Sequence, residues 1–375
     1  METKYGTTYN SYFIDGEKKA IIETSKEKFK DVYFDKINQV TDITKIDYII
    51  LNHTEPDHSG CLKYLLEESP DAVVYASRAA LNYLTEIVGK PFKSVAVKDG
   101  DTLSLGNKTL RFINAPNLHW PDTIYTYLEE DKILFTCDSF GAHYCHAEMF
   151  DDKVGEYDEA FKYYFDVILK PFSKFMEKAI EKIEPLDIET ICTGHGPILR
   201  STWKEKVRKS MNYAQTYLAD SKCEDNNILI TYVSAYGYTR QMAELIAKGI
   251  SEITSFNVTL ADIEHIALGE LEEMIVKSKS ILVGSPTINQ NTLLPVYKMF
   301  ALVNPIRDKG KKAAAFGSYG WSGEAVKMIE NHLKALKLDV VTEGLAIKFM
   351  PDNGKSEQII EFGRNFAKKL LIEEQ

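Results

Sequence analysis

Residues 53–58 read HTEPDH and lie one residue after the apolar run YIIL at residues 48–51. The length and β-branched content of that run predict a buried strand. His53 and Glu55 are two residues apart, so an extended backbone directs both side chains to the same side. Pro56 ends regular strand pairing, so the side chains of Asp57 and His58 can turn toward a second possible ligand position. Two imidazoles and two carboxylates side by side at a strand end are typical of a metal or catalytic site.

The composition is that of a soluble globular protein with room for two domains. The chain has 375 residues, of which 44% are hydrophobic and 27% charged. Its net charge of −10 argues against a nucleic-acid partner, because phosphate binding depends on Lys and Arg. No apolar run approaches the roughly eighteen residues of a membrane span. The first ten residues, METKYGTTYN, lack the basic and apolar regions of a secretion signal, so a cytoplasmic location is expected.

The cysteines contain no Cys-x-x-Cys pair, which excludes a zinc ribbon or a rubredoxin-like iron centre within this chain. Their odd number and wide spacing predict reduced thiols that mostly fill the core. They are Cys61, Cys137, Cys145, Cys192 and Cys223.

Residues 1–222 are predicted to form one domain, an αββα sandwich. Hairpin signals such as Asp15-Gly16 and Asp99-Gly100 separate short apolar runs, and helical stretches lie between and after the two groups of strands. One long helical stretch is predicted over roughly 157–183. Two groups of strands with helices outside predict a layered α/β arrangement.

Residues 228–375 are predicted to form a second domain with a doubly wound parallel sheet. Five strands, each followed by a helix, are predicted in this half. The polar stretch at 222–227 is the predicted boundary. The predicted strands are 228–233, 257–260, 280–283, 313–316 and 345–349.

Further metal-ligand types follow later strands of the first half. His119 lies in a loop, Asp138 ends a predicted strand, and His195 stands between two glycines that would let the backbone approach a metal. Each of these alone has an ordinary structural explanation as a turn or cap residue. Together with the residues of the HTEPDH stretch they supply seven ligands, enough for two metals sharing one bridging carboxylate. The full set is His53, Glu55, Asp57, His58, His119, Asp138 and His195.

Three loops at the carboxyl ends of strands in the second half predict a phosphate and flat-ring site. The first, SAYGYT at 234–239, offers hydroxyls and backbone N–H groups at a helix start, without the lysine of a nucleotide P-loop. Glycines in the loops at 284–289 and 317–323 let the backbone approach a ring, on which Tyr319 or Trp321 can stack. The candidate residues are Ser234, Tyr236, Gly237, Tyr238, Thr239, Pro286, Thr287, Ile288, Asn289, Ser318, Tyr319, Gly320, Trp321 and Gly323.

The series of metal-ligand types resembles the metallo-β-lactamase superfamily in its flavodiiron branch, and the three loops resemble the FMN site of flavodoxins. The zinc hydrolases of that superfamily usually have a histidine where this chain has Glu55, and mixed histidine and carboxylate sites suit iron. The resemblance implies that His53, Glu55 and His119 hold one iron. It also implies that Asp57, His58 and His195 hold the other, with Asp138 bridging.

The same resemblance implies reduction of dioxygen to water, of nitric oxide to nitrous oxide, or of both. The chain has no dinucleotide fingerprint, so electrons are expected from a separate donor such as rubredoxin, or from a reduced deazaflavin. Family members form head-to-tail homodimers, in some cases paired as dimers of dimers. They also usually carry extra residues ahead of the segment that starts here at Gly6, so either the start is misassigned or the sandwich lacks an edge strand.

Two other histidines follow Asp138 closely. His143 is a candidate proton donor or a residue that tunes the bridging ligand, or else a polar loop residue, and the role of His146 stays open. Two rival functions also remain at this point. One is a dinuclear zinc hydrolase with an attached flavodoxin module, and the other is an electron-transfer flavoprotein with a vestigial first domain.

Overall fold

The structure is a computed structural model that describes residues 3–220, 226–351 and 354–372. It divides into two compact units, Met1–Leu218 and Ala219–Gln375. Most of the boundary predicted at 222–227 lies outside the described residues, as does Cys223. In the described part of the chain, no helix is both long and apolar enough to cross a membrane.

The first unit contains two five-stranded sheets with helices packed outside them. In the first sheet β1 pairs antiparallel with β2, and the following strands are parallel in the order β1-β2-β3-β4-β5. Its short strands end where polar residues follow the apolar runs. The strands are β1 Tyr12–Asp15, β2 Lys19–Ile22, β3 Tyr48–Leu51, β4 Val73–Ser77 and β5 Ser94–Val97.

The second sheet has the order β10-β9-β8-β7-β6 and is antiparallel except for the pair β9 and β10. Ile50 from the first sheet and Phe112 from the second belong to one buried cluster, which is the core between the sheets. The predicted αββα sandwich is therefore confirmed. The strands are β6 Thr102–Ser104, β7 Thr109–Asn114, β8 Ile124–Leu128, β9 Ile133–Cys137 and β10 Thr190–Thr193, and the helices are α1 Lys30–Val40, α2 Pro56–Ser59, α3 Leu62–Glu68, α4 Arg78–Val88, α5 Asp158–Tyr164, α6 Ser173–Ile183 and α7 Trp203–Asp220.

The helix predicted over 157–183 is not continuous. After α5 the backbone widens into a π-helical turn at Phe165–Leu169 and then tightens into a 3₁₀ turn at Lys170–Phe172 before α6 begins. Pro171 has no N–H to donate and its ring crowds the preceding turn, so an unbroken α-helix cannot pass through it.

The second unit is a parallel sheet with the order β12-β11-β13-β14-β15, and β16 also pairs with β14. This is the strand order of flavodoxin-like doubly wound folds. The prediction of a parallel doubly wound sheet is confirmed, and the fifth predicted strand, 345–349, is β16; the two-residue strand β15 before it was not predicted. The strands are β11 Asn227–Tyr232, β12 Asn257–Asp262, β13 Ser280–Gly284, β14 Lys312–Tyr319, β15 Asp339–Val340 and β16 Leu345–Lys348, and the helices are α8 Tyr238–Ser251, α9 Leu268–Lys277, α10 Leu294–Leu302, α11 Glu324–Ala335 and α12 Ser356–Ile372.

Gly344 lies between β15 and β16 and interrupts the pairing with β14. Its N–H donates to the buried Glu330 carboxylate at 2.7 Å instead of continuing the ladder with β14. A Cβ atom at this position would also overlap Val326. A side-chain acceptor thus replaces a strand partner, which the alternation of apolar residues could not reveal.

Helices α8 and α12 cross at close range because each has a glycine at the contact. A Cβ atom on Gly249 would overlap the Ile360 carbonyl oxygen, and one on Gly363 would overlap the Ile246 carbonyl oxygen. We expect Gly249→Ala to lower the free energy of unfolding by about 1–3 kcal/mol, because overpacking forces the helices apart. Urea unfolding followed by circular dichroism measures this change.

The matched control is Gly269→Ala in α9, where a Cβ atom meets nothing within 4 Å. It should stabilise the protein by up to about 1 kcal/mol, because alanine favours the helix over glycine. If the two variants have the same stability, close helix contact does not explain Gly249.

Candidate metal and flavin sites

The HTEPDH stretch forms the turn after β3. His53 is fully buried, Pro56 is the first residue of the short helix α2, and the helical turn then brings His58 back into the interior. Proline suits the first position of a helix because its missing N–H would be unpaired there in any case. His53 and Glu55 at the strand end therefore face one possible metal position, and Asp57 and His58 in the helical turn face a second one next to it.

Asp138 lies between these two positions, directly after β9. Its Oδ1 is 3.2 Å from Nε2 of both His58 and His195. Its Oδ2 is 3.3 Å from Nε2 of His119 and 3.5 Å from Nε2 of His53. One buried carboxylate therefore faces four imidazoles, two with each oxygen.

The seven predicted ligand residues gather into two groups whose possible ligand atoms lie within 4.8 Å of one another. In the first group Glu55 is 2.9 Å from Nε2 of His119, and in the second Asp57 is 3.4 Å from Nε2 of His195. Asp138 belongs to the first group and contacts the second. The groups are His53, Glu55, His119 and Asp138, and Asp57, His58 and His195.

Several buried atoms at this place have no hydrogen-bond partner among the described residues. They include Nε2 of His53, Nε2 of His58 and Oδ2 of Asp138. Leaving such atoms unpaired in the interior costs free energy unless something else satisfies them. Imidazole and carboxylate atoms that converge without pairing fit a pair of bound cations.

The pKa values of the same residues show how strongly the acids and imidazoles act on one another. Burial disfavours the charged form of His53, yet the carboxylates of Asp122 and Glu55 raise its pKa to about 10. Burial also disfavours ionised Asp138, but the surrounding imidazoles hold its pKa well below its usual value. Because ligating imidazoles must be neutral and ligating carboxylates ionised, metal binding by these residues is coupled to the release of protons.

Three residues that orient the cluster were not predicted. Asp122 is fully buried and lies 3.3 Å from Nδ1 of His53. The Thr8 carbonyl accepts the Nδ1–H of His195 at 2.6 Å, and the Tyr164 hydroxyl donates to Oδ1 of Asp138 at 2.9 Å. Asp122 follows His119 by three residues and was a visible carboxylate, whereas no sequence signal marks Thr8 or Tyr164.

The two glycines beside His195 allow close packing around the cluster. A Cβ atom on Gly194 would lie 2.8 Å from Cε1 of His58, and one on Gly196 would lie 2.6 Å from the Ala142 carbonyl oxygen. The space that the glycines leave is therefore filled by an imidazole and by backbone.

Asp122 gives the first prediction about the cluster. We expect Asp122→Asn to weaken metal binding about 10–100-fold, because a carboxylate behind a ligating imidazole fixes its orientation and raises its basicity. Asparagine keeps the size but lacks the charge. Metal titration of the metal-free protein measures the affinity, and an unchanged affinity would show that His53 needs no such support.

The other histidines fall in different places. His143 lies beside the cluster, with Nδ1 at 3.0 Å from Oγ1 of Thr7 and its ring edge-on to Tyr164 at 4.8 Å. Burial lowers the pKa of His143 to about 4, so it is neutral. His146 is exposed and accepts a hydrogen bond from the Glu148 N–H, away from the cluster.

In the second unit the three predicted loops lie next to one another. They follow β11, β13 and β14, which are neighbours in the sheet, so all three meet at its carboxyl edge. The Thr239 and Ser318 hydroxyls are 3.0 Å apart and join the first loop to the third. The Thr287 N–H donates to the Ser318 carbonyl oxygen at 2.9 Å and joins the second loop to the third.

The edge has the features of a site for a phosphate and a flat ring. Gly237, with φ of +83°, is the residue before α8, so the free N–H groups of the first helical turn face the loop. Tyr236 in the first loop is 80% exposed, and Trp321 in the third loop is 79% exposed. Exposed aromatic side chains beside a phosphate cradle suit stacking on an aromatic ligand.

Comparison with known families matches each unit separately. Residues 7–196 match the model of the ODP family beta lactamase, and residues 230–363 match the flavodoxin model. Flavo-diiron protein FprA2 of Clostridium acetobutylicum is 41% identical, over 99% of this chain and 94% of that protein. The chain belongs to the flavodiiron protein family.

Other members of the flavodiiron family align over almost the whole chain. The anaerobic nitric oxide reductase flavorubredoxin of Vibrio vulnificus is 34% identical, over 99% of this chain and 75% of that protein. The solved structure of rubredoxin oxygen:oxidoreductase from the anaerobe Desulfovibrio gigas is 29% identical, with a TM-score of 0.60, and covers 99% of this chain and 92% of that one. The resemblance stated from the motifs is thereby confirmed.

Proposed function

We propose that this flavodiiron protein uses FMN and two non-haem irons to reduce dioxygen to water, nitric oxide to nitrous oxide, or both. The observation that carries the proposal is the position of Asp138, whose two oxygens each face two imidazoles between the two ligand groups. The relatives named as a rubredoxin oxygen:oxidoreductase and a nitric oxide reductase support the same activity.

The seven candidate ligands would be divided between two irons. His53, Glu55 and His119 would hold one iron, and Asp57, His58 and His195 the other, with Asp138 bridging them. When bound, two ferrous ions and a reduced flavin supply the four electrons that convert dioxygen to two waters, or the two that join two nitric oxides. Glu55 in a position where zinc hydrolases have histidine supports iron, since carboxylates are harder ligands.

The residues of the chain itself orient the ligands, limit the access of water and hold a proton at the Tyr164 hydroxyl. The buried carboxylate of Asp122 and the Thr8 carbonyl hold His53 and His195 by their Nδ1 atoms, so that both Nε2 atoms face Asp138. Burial of His53, His58 and Asp138 limits the access of water to the side of the cluster where Glu55 and Asp57 are partly exposed. The Tyr164 hydroxyl stays protonated, because burial and then the Asp138 charge raise its pKa well above normal, and it donates to the bridging carboxylate.

The flavin would bind at the carboxyl edge of the second sheet. The first loop, 234–239, would hold its phosphate at the start of α8, and the loops containing Pro286–Asn289 and Ser318–Gly323 would flank the ring. Hydroxyl contacts between the loops fix their spacing. The FMN site residues are proposed on this arrangement together with the flavodoxin match.

Electrons would come from a separate protein. The chain has no dinucleotide fingerprint and no rubredoxin-like pair of Cys-x-x-Cys motifs. The Desulfovibrio relative is named for rubredoxin, which supports rubredoxin or a similar carrier as donor, with reduced deazaflavin as the other candidate. We further propose a cytoplasmic location and a head-to-tail homodimer or dimer of dimers.

The decisive test is anaerobic reduction of the iron- and FMN-loaded protein, followed by dioxygen or nitric oxide in separate samples. We expect the flavin band to return as gas is consumed, with about four electrons used per dioxygen and little peroxide released. A protein that contains zinc and hydrolyses esters or phosphodiesters, with no gas consumption after reduction, would contradict the proposal.

A further inference from the structure

An open groove of about 820 Å³ lies on the first unit, beside the candidate diiron centre. Its walls come from the N-terminal segment, helix α1 and the loop at 144–149. Among the lining residues are Thr7, Thr8, Val32, Tyr144 and Pro197. The groove is wide enough for water, and Thr7 in its lining contacts His143.

The hydroxyl of Thr7 makes its shortest contact with His143, and it also lies 3.4 Å from the Thr8 carbonyl oxygen. Its Oγ1 lies 3.0 Å from Nδ1 of His143 and 3.5 Å from Nδ1 of His195. The second distance is long, and Nδ1 of His195 already has the Thr8 carbonyl oxygen at 2.6 Å. Thr7 therefore joins the groove to His143.

The other nitrogen of His143, Nε2, is out of solvent and has no hydrogen-bond partner among the described residues. The ring itself lies 5.6 Å from the His195 ring and 4.8 Å from the Tyr164 ring, measured between centroids. His143 thus has one nitrogen on the groove side, through Thr7, and one enclosed beside the cluster. It is not in either group of possible metal ligands.

We propose that Thr7 is a proton-relay residue that acts through His143, passing protons from water in the groove to the gas being reduced. The inference rests on the proposed function. Each dioxygen reduced to two waters takes up four electrons and four protons, and each pair of nitric oxides takes up two of each to give nitrous oxide and one water. The electrons come from the external donor through the cofactors.

One transfer moves three protons by one place each. A hydronium ion in the groove gives a proton to Oγ of Thr7 and becomes water, the Thr7 O–H proton passes to Nδ1 of His143, and the Nε2–H proton leaves for the reduced oxygen. The bonds broken and formed balance, and the imidazole ends neutral, as it began. The imidazole returns to its Nε2–H tautomer when the ring turns and exchanges with groove water, which takes the Nδ1 proton and supplies one to Nε2. A relay of this kind needs a hydroxyl at Thr7 but no particular side-chain charge.

The competing route is direct entry of water beside the ligands. The side chains of Glu55 and Asp57 are 37% and 22% exposed, so solvent reaches the cluster on that side. If protons enter there, the hydroxyl of Thr7 is irrelevant to the rate. The two routes are distinguished by removing the hydroxyl while leaving the ligands in place.

The test compares Thr7→Val, which keeps the shape but removes the hydroxyl, with Thr7→Ser, which retains it. Gas consumption by the iron- and FMN-loaded protein is measured per bound iron, over a range of pH and in H₂O and D₂O. We expect Thr7→Val to be at least about 10-fold slower with an altered solvent isotope effect, since positioned proton donors contribute about 10²–10⁴-fold. Thr7→Ser should restore most of the rate.

Gln39→Leu is the matched control, because Gln39 lines the same groove and is exposed, far from His143 along the wall formed by α1. It should leave the rate unchanged. Equal rates and isotope effects for Thr7→Val and the unaltered protein would overturn the relay, while gas consumption itself would leave the proposed function intact.

A double variant covers the case in which Thr7→Val also disturbs His195. If Thr7 acts through His143, Thr7→Val should slow the His143→Phe protein no further, because the relay is already broken. Independent, multiplicative losses in the double variant would contradict the relay even if each single variant is slow.

Discussion

Asp138→Asn is expected to reduce the iron content from two per chain to less than one and to abolish most gas reduction. Asparagine preserves the shape but removes the negative charge that faces the four imidazoles. Removing one partner of a buried charge cluster costs about 3–5 kcal/mol. That cost corresponds to a loss of roughly 10²–10⁴-fold in metal affinity. Iron analysis after gel filtration and the rate of gas consumption measure the two effects.

The matched control for this change is Asp187→Asn. Asp187 pairs with Lys132 at 2.8 Å on the surface, and its side chain is 78% exposed. Exposed ion pairs contribute about 0–1 kcal/mol, so iron content and rate should remain those of the unaltered protein. Should Asp138→Asn keep two irons and full activity, Asp138 is not the carboxylate that joins the two ligand groups.

Gly194→Ala should cause selective loss of the iron that we propose His58 and His195 hold. The added Cβ atom would lie 2.8 Å from Cε1 of His58 and 3.1 Å from the carbonyl carbon of Cys137. The backbone cannot yield easily, since the Gly194 N–H donates to the Cys137 carbonyl oxygen. The His58 ring must therefore move. A shift of this size in a metal ligand is expected to lower occupancy of that iron at least about 10-fold.

Iron analysis combined with Mössbauer spectroscopy distinguishes one lost iron from two. FMN content should be unchanged, because the flavin loops belong to the other compact unit. Gly269→Ala, in open space on α9, is again the control and should retain both irons. Equal occupancy of both irons in Gly194→Ala would show that the His58 ring can move away from the added Cβ atom and still bind its iron.

The residues that face the two proposed irons could be predicted because they are concentrated at strand ends. Residues 53–58, close after β3, contain four of them, and Asp138 directly follows the apolar run of β9. Imidazoles and carboxylates in such places have few other uses. Their assignment to particular irons came from the family resemblance and stays a prediction until a metal is seen.

The residues that support the ligands were much harder to predict. Thr8 is 187 residues from His195, and Thr7 is 136 residues from His143. Nothing in a pair of ordinary threonines near the start of the chain indicates which distant imidazole they contact. Moreover, Thr8 acts through its backbone carbonyl, for which side-chain chemistry carries no signal.

The strands and helices of the second unit were predictable because their apolar residues recur at regular spacing. Apolar periodicity identified the parallel sheet of the second unit, but it missed features that depend on a single contact. Pro171 breaks the helix predicted over 157–183, and the bond from Gly344 to Glu330 interrupts the pairing of the last strands with β14. The proline was visible in the sequence, whereas the glycine's partner was not.

We propose that seven side chains hold two irons bridged by Asp138. Anomalous diffraction at the iron edge from crystals of the loaded protein would locate both ions. We expect two iron peaks, one next to His53, Glu55 and His119 and the other next to Asp57, His58 and His195, with Asp138 between them. A single peak, a zinc signal at either position, or iron bound away from these side chains would contradict it.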